Sequence, residues 1–101
     1  MKHDEILNRF PDLFRQHNLT IYESCMAWGI ETPDSWFPII YDACLKIEKL
    51  CEEYNGKIEF TQVKEKYYSL RMYYMFNGSK EFVDKVEDII NEADDLIQKL
   101  P

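Results

Sequence analysis

The sequence has few of the residues on which catalytic and metal sites are usually built. Its 101 residues include only three cysteines, three glycines and two histidines. No Gly-rich phosphate loop, nucleophile elbow or His/Cys ligand spacing is present, so we expect no enzyme activity, no cofactor and no metal site. Three cysteines cannot all pair within one chain, which favours free thiols in a reducing compartment.

Long apolar runs are missing as well. Runs such as residues 36–40 are far shorter than the roughly 20 residues that a bilayer span requires. The first 20 residues carry Asp4, Glu5 and Asp12 where a signal peptide would be apolar. We therefore expect no membrane association and a cytoplasmic location.

The sequence is rich in the hydrophobic and aromatic residues that form a packed core. Hydrophobic residues make up 46% of the sequence and aromatic residues 15%, well above the range of disordered chains. About 100 residues is the usual size of a single domain and leaves little room for a second core. Residues 1–101 are therefore predicted to form a single domain.

The net charge of −7 is distributed unevenly. Residues 81–101 carry seven acidic and two basic residues, whereas residues 56–80 carry five basic and two acidic ones. General binding to DNA or to an anionic membrane requires a broad cationic surface, so we expect neither. A basic protein partner, or a small anion held by the basic segment, fits this distribution.

Two stretches have the apolar spacing of amphipathic helices. The stripe over residues 36–54 predicts a long central helix, capped by Asp34 or Ser35 and ended by Asn55-Gly56. The stripe over residues 82–100 predicts a long C-terminal helix behind the cap residue Ser79. Acidic side chains on the other face of this second helix are either solvated surface charge or a mimic of nucleic acid.

The segment between these helices predicts an antiparallel β-hairpin. Residues 57–63 and 70–76 are rich in β-branched and aromatic residues and alternate toward a common apolar face. The helices should cover that face, because a lone hairpin is marginal in water. Arg71, Tyr73 and Met75 then point the other way, and the fold class is α+β.

The N-terminal third is less regular. Residues 6–14 predict a short helix that Pro11 breaks. Residues 19–22 are a candidate third strand, and residues 26–33 predict an ordered loop that leads into the central helix.

Cations alternate with aromatic residues in the predicted hairpin, a composition suited to anion or nucleobase contact. Arg71 can form a forked contact with phosphate or carboxylate, and the rings of Tyr67 and Tyr73 can stack on a base. Alternatively, the tyrosines pack the hairpin and the lysines form a solvated turn. Trp28 and Trp36 are either buried anchors or ligand-contacting platforms. The candidate binding residues are Trp28, Trp36, Lys64, Lys66, Tyr67, Arg71 and Tyr73.

Three segments of the chain resemble a family of small proteins encoded by tailed phages and prophages, mostly of uncharacterised function. Residues 6–14 are similar to the family's opening Leu-x-x-Arg-Tyr/Phe-Pro-x-Leu-Phe, and residues 28–36 to its Phe-Gly-x-Glu-Cys-Gly-Asp-Gly-Trp element. Residues 62–73 are similar to Gln-Val-Lys-Glu-Lys-Phe-Gly-x-Leu-Arg-Phe-Tyr. Three differences stand out: Pro33-Asp34-Ser35 replaces Gly-Asp-Gly, Tyr68 replaces the turn glycine, and an acidic helix stands where many members carry a cysteine-rich, zinc-ribbon-like tail.

This resemblance implies a phage or prophage accessory protein in the host bacterial cytoplasm, and such proteins often counter bacterial immunity. We expect first an inhibitor of an anti-phage defence system, such as CRISPR, that docks on a protein effector. The alternatives are a sponge that sequesters a nucleotide immune signal and a virion or replication assembly module. A homodimer is compatible with each, because a two-stranded sheet leaves a face and an edge uncovered.

Overall fold

Two long helices pack on one face of a three-stranded sheet in the computed structural model, which describes residues 2–101. Short 3-10 helices connect the longer elements. This is the predicted α+β arrangement. In chain order the elements are α1 (Lys2–Arg9), 3-10 helices at Arg15–Asn18 and Cys25–Trp28, β1 (Ile30–Glu31), a 3-10 helix at Asp34–Trp36, α2 (Phe37–Tyr54), β2 (Lys57–Lys66), β3 (Ser69–Asn77) and α3 (Lys80–Gln98).

The sheet has the order β1-β2-β3, with β2 and β3 antiparallel and β1 parallel to β2. A third strand exists, but it is Ile30–Glu31 and not residues 19–22 as predicted. Residues 20–24 close a turn instead, because the Thr20 carbonyl accepts the N–H groups of Glu23 and Ser24. The Glu23 carboxylate also accepts the N–H of Thr20 at 3.0 Å, so this backbone is not free to pair as a strand.

The hairpin is longer than predicted because its turn is tight. Only Tyr67 and Tyr68 separate the strands, and pairing begins at once with Lys66 opposite Ser69. Both tyrosines have positive φ, 53° and 60°, as the turn type that matches the twist of two-residue hairpins requires. A bulge between Phe60 and Gln62 interrupts the register of β2.

Most of the core lies between the sheet and the two long helices, as the hydrophobic pattern predicted, and residues from the first 36 positions extend it. The bulge brings Val63 onto the same buried face as Phe60. The buried side chains of this layer are Ile58, Phe60, Val63, Leu70 and Met72 from the sheet, Ile40, Ala43, Cys44 and Ile47 from α2, and Phe82, Val86, Ile90, Ala93 and Ile97 from α3.

Two of the three predicted helix-end signals are found. Asn55 ends α2 in the left-handed conformation with φ 51°, and the Ser79 hydroxyl accepts the Phe82 N–H at the start of α3. The predicted cap of α2 by Asp34 or Ser35 does not form. The 3-10 helix Asp34–Trp36 runs directly into α2 instead, and Pro38 falls in the first turn, where it is tolerated.

The N-terminal segment covers the edge of β2 that β3 leaves open. The predicted broken helix is present: α1 ends at Arg9, and a turn through Pro11 leads to the 3-10 helix Arg15–Asn18. Beside the bulge, the Leu13 carbonyl accepts the N–H of Phe60 at 2.8 Å. Within residues 2–101, no helix combines the length and apolar character needed to cross a membrane.

Candidate functional site

The hairpin face that points away from the helices is only partly covered. Its central cross-strand pairs are Glu59 with Met75, Gln62 with Tyr73, and Lys64 with Arg71. Tyr73 is 44% exposed and Met75 is 59% exposed. The orientation predicted for Arg71, Tyr73 and Met75 is therefore the one found, and it places an aromatic ring and a thioether at the surface.

A polar network holds the segment after α1 against this face. The two buried polar side chains within residues 3–101 are those of Gln16 and Ser24. The Ser24 hydroxyl donates to the Gln16 side-chain oxygen at 2.6 Å and accepts the Met26 N–H at 3.1 Å. The Gln16 amide in turn contacts the Met75 sulfur at 3.4 Å. Residues 16–25 are thereby fixed beside the hairpin.

An open groove of about 490 Å³ lies between that segment and the hairpin. We call it the aromatic groove; its principal lining residues are Ile21, Tyr22 and Cys25 on the segment and Gln62, Tyr73 and Met75 on the hairpin. Tyr22 is 93% exposed and Ile21 is 49% exposed. Clusters of exposed aromatic, aliphatic and methionine side chains are typical of interaction surfaces.

Two cations lie on the hairpin between this groove and the turn. Lys64 and Arg71 lie directly opposite each other, one pair beyond Gln62 and Tyr73 on the same face. We call them the cation pair. Like charges in directly opposed positions destabilise a sheet. Glu31 of β1 lies opposite Lys64 on its other side, but no carboxylate within residues 3–101 approaches either cation closely enough for an ion pair. The Arg71 Nε is also buried without a hydrogen-bond partner, so the pair has unused capacity for an anion.

The other sequence-predicted residues are not gathered at this place. Lys66 and Tyr67 lie at the hairpin tip, where the Lys66 Nζ is 5.7 Å from the Tyr67 ring centre and Tyr67 is 88% exposed. Trp28 is 65% exposed at the end of the 3-10 helix that carries Cys25. It is not among the residues that line the groove.

Trp36 is not part of the candidate site. Its side chain is 1% exposed, and its ring meets that of Tyr68 edge to face with 5.8 Å between the centres. A side chain this deeply buried cannot serve as a platform for a ligand at the surface. Of the two alternatives for Trp36, the structure supports the buried anchor.

The sequence pattern does not predict the side of the groove formed by Ile21, Tyr22 and Cys25, because residues 19–22 match a candidate third strand. The signals that could have corrected this are Ser24 and Gly29, which start and stop the short helix Cys25–Trp28. Ser24 accepts the N–H of Met26 in the manner of a cap, and Gly29 has φ 81°. These bounds would have placed Ile21 and Tyr22 in a connecting turn with outward side chains.

The thiols divide by environment. Cys25 is exposed at the groove, whereas Cys44 is buried and Cys51 is half-buried. Burial raises the pKa of the Cys44 thiol strongly and that of the Cys51 thiol to a smaller extent, which disfavours the reactive thiolate. Within residues 2–101, no three His, Cys, Asp or Glu side chains cluster as the ligands of a metal ion would.

The chain matches no protein-family model, no curated protein and no solved structure. The surface that combines exposed aromatic side chains with cations is therefore the candidate functional site. It consists of the aromatic groove and the cation pair, which share the outward face of the hairpin.

Proposed function

We propose that this protein is a phage or prophage accessory protein that inhibits a bacterial defence system by docking on a protein effector. The phage setting comes from the sequence resemblance, and the docking surface is the aromatic groove together with the cation pair. The observation that carries the proposal is the exposure of Tyr22, Tyr73 and Met75 around a groove whose wall is held by a buried polar network.

The groove has the composition of a protein interface. Tyrosine, methionine and arginine are enriched in the centres of interfaces, and tyrosine and arginine dominate their binding energy. An open groove suits a convex side chain of a partner, and the cation pair offers donors to a carboxylate beside it. Of the residues that line the groove within the described chain, none is a histidine, so the groove itself offers no imidazole base to the Cys25 thiol.

The decisive experiment compares two equally exposed tyrosines. Phage plating efficiency would be measured on bacteria that each carry one defence system and express either the natural protein, the Tyr22→Asn variant or the Tyr67→Asn variant. Tyr22 lies at the groove and Tyr67 at the hairpin tip, with 93% and 88% of their side chains exposed. We expect the natural protein and Tyr67→Asn to restore plating on at least one strain and Tyr22→Asn to fail.

Two outcomes would contradict the proposal. Restoration of plating on no strain would argue against a role in countering these systems. Restoration that survives Tyr22→Asn and Tyr73→Asn but is lost in Tyr67→Asn would place the docking surface at the hairpin tip.

A second candidate function is favoured by the cation pair. The cation pair could hold the phosphates of a nucleotide immune signal, and the neighbouring Tyr73 ring could stack on its base. Thermal unfolding would be followed with cyclic dinucleotides, cyclic trinucleotides and ADP-ribose derivatives, since a ligand of the folded state raises the melting temperature. A rise with one compound that Arg71→Gln abolishes would favour this function, whereas no rise across the panel would leave protein docking.

A further inference from the structure

The outer edge of β3 is unpaired. In the sheet order within residues 2–101, β3 has a neighbour on one side only. The Leu70 N–H bonds to the Asp94 carboxylate at 2.9 Å instead of to β2, so Leu70 points its backbone groups outward. Because this direction alternates along a strand, Met72, Tyr74 and Phe76 also present their N–H and C=O groups at the edge. No backbone hydrogen bond joins these three residues to an element other than β2.

This edge lacks the features that normally block strand addition. Edge strands are usually protected by charges, proline, bulges, shortness or a covering helix or loop, and here α3 covers only the start of β3, where Asp94 binds Leu70. The nine residues of β3 contain one charge, Arg71, and no proline, and the bulge of the sheet lies in β2. Met75 and Phe76 are more than half exposed near the end of the strand. An extended segment could therefore pair with β3 from Met72 to Phe76, beyond the position where Asp94 occupies the Leu70 N–H.

Carboxylates of α3 lie along the same edge. The Tyr74 hydroxyl donates to Glu87, the Ser69 hydroxyl and the Leu70 N–H donate to Asp94, and the Gln98 amide donates to the Tyr68 carbonyl. These contacts show that α3 runs antiparallel to β3 with one side over its outer edge. Neither Glu87 nor Asp94 has a cationic partner within residues 2–101. We call these two carboxylates the acidic rim.

We propose that the β3 edge binds an extended segment of a protein partner, whose side chains on the α3 side are lysine or arginine. The backbone pairing would supply affinity, and the acidic rim would select basic side chains. A second copy of this chain fits poorly, because two-fold pairing of β3 with itself would bring two acidic rims toward each other. This surface is distinct from the aromatic groove, so the inference stands apart from the proposed function.

The test uses a fluorescein-labelled peptide in which lysine and valine alternate, with binding followed by fluorescence anisotropy. In such a peptide every second amide faces β3. N-methylation of that set should weaken binding at least about tenfold, since it removes several of the hydrogen bonds that would pair the two strands. N-methylation of the other set should leave the affinity unchanged, as should replacement of valine by threonine.

Matched variants of the protein test the same edge. Phe76→Pro removes one outward N–H, whereas Phe76→Ala removes the ring and keeps that N–H, so the peptide should bind more weakly to Phe76→Pro. Glu87→Gln removes a charge of the acidic rim, whereas Asp88→Asn removes the neighbouring charge, which lies toward α2. Peptide affinity should fall only in Glu87→Gln, a comparison that does not depend on how well Phe76→Pro folds.

Three results would overturn the inference. Equal loss of binding on N-methylation of either set would show that strand pairing is not used. Equal affinities of Glu87→Gln and Asp88→Asn would indicate a general attraction between a polycation and an acidic protein. A stable dimer in sedimentation that dissociates in Phe76→Pro would show that a second copy occupies the edge.

Discussion

The hairpin turn provides the sharpest test of the structure, through the change Tyr67→Asn. Tyr67 has φ 53°, a conformation that costs most L-residues roughly 1–2 kcal/mol and that asparagine adopts more readily. Tyr67 is almost fully exposed, so little burial is lost when its ring is removed. The contact with the Lys66 Nζ, 5.7 Å from the ring centre, is worth about 0.5–1 kcal/mol at an exposed site.

The relief of strain should exceed the lost contact. We expect Tyr67→Asn to raise the free energy of unfolding by at most about 0.5–1 kcal/mol, which is the left-handed penalty less the lost contact with Lys66. For a domain of this size, the melting temperature should rise by a few degrees and by no more than about 8 °C. Differential scanning calorimetry and urea unfolding followed by circular dichroism would measure both quantities.

Two other tyrosines serve as controls. Tyr22 is equally exposed and is not among the residues with positive φ, so Tyr22→Asn should bring no gain. Tyr68 has φ 60° but packs its ring against Trp36, and Tyr68→Asn should therefore gain less than Tyr67→Asn. If Tyr67→Asn lowers the melting temperature, or if all three variants change it equally, the left-handed turn is not a source of strain.

Three further predictions concern the core, alkaline pH and the thiols. Gly56→Ala should destabilise the fold by about 1–3 kcal/mol, measured by urea unfolding, because a Cβ at Gly56 would lie 2.6 Å from the buried Phe82 ring. Burial, followed by the hydrogen bond to Glu87, raises the pKa of the Tyr74 hydroxyl, so the unfolded state loses this proton at a lower pH than the folded state. The free energy of unfolding should therefore fall as the pH rises above about 10, and Tyr74→Phe should make that fall smaller in urea unfolding. Ellman's reagent should modify Cys25 in the folded protein and the other two thiols only after unfolding, because Cys25 is the exposed one.

The helices and the hairpin could be read from the chain because their signals are local. Apolar residues recur with helical spacing over residues 36–54 and 82–100, and β-branched and aromatic residues fill residues 57–63 and 70–76. The helix-end signals are local too: Asn55 ends α2 and Ser79 caps α3, as predicted. The end of the hairpin was underestimated, because Tyr67-Tyr68 is not a sequence that marks a two-residue turn.

The candidate site was predicted only in part. Arg71 and Tyr73 were identified because cations alternate with aromatic residues in one strand, and their orientation follows from the period of two. The opposite wall of the groove comes from residues 16–25, which carry no such period. It exists because Gln16 reaches Met75, a contact across 59 positions of the chain that no local pattern contains.

The sequence by itself determined the fold class, the two long helices and the outward face of the hairpin, since each depends on the spacing of neighbours within a few residues. Only the tertiary structure decided that Ile30 and not residues 19–22 pairs with the sheet, that Trp36 is buried while Trp28 is exposed, and that Lys64 stands opposite Arg71. The physical reason is that pairing, burial and charge apposition are properties of residues distant in sequence. They are set by which surfaces meet when the core closes.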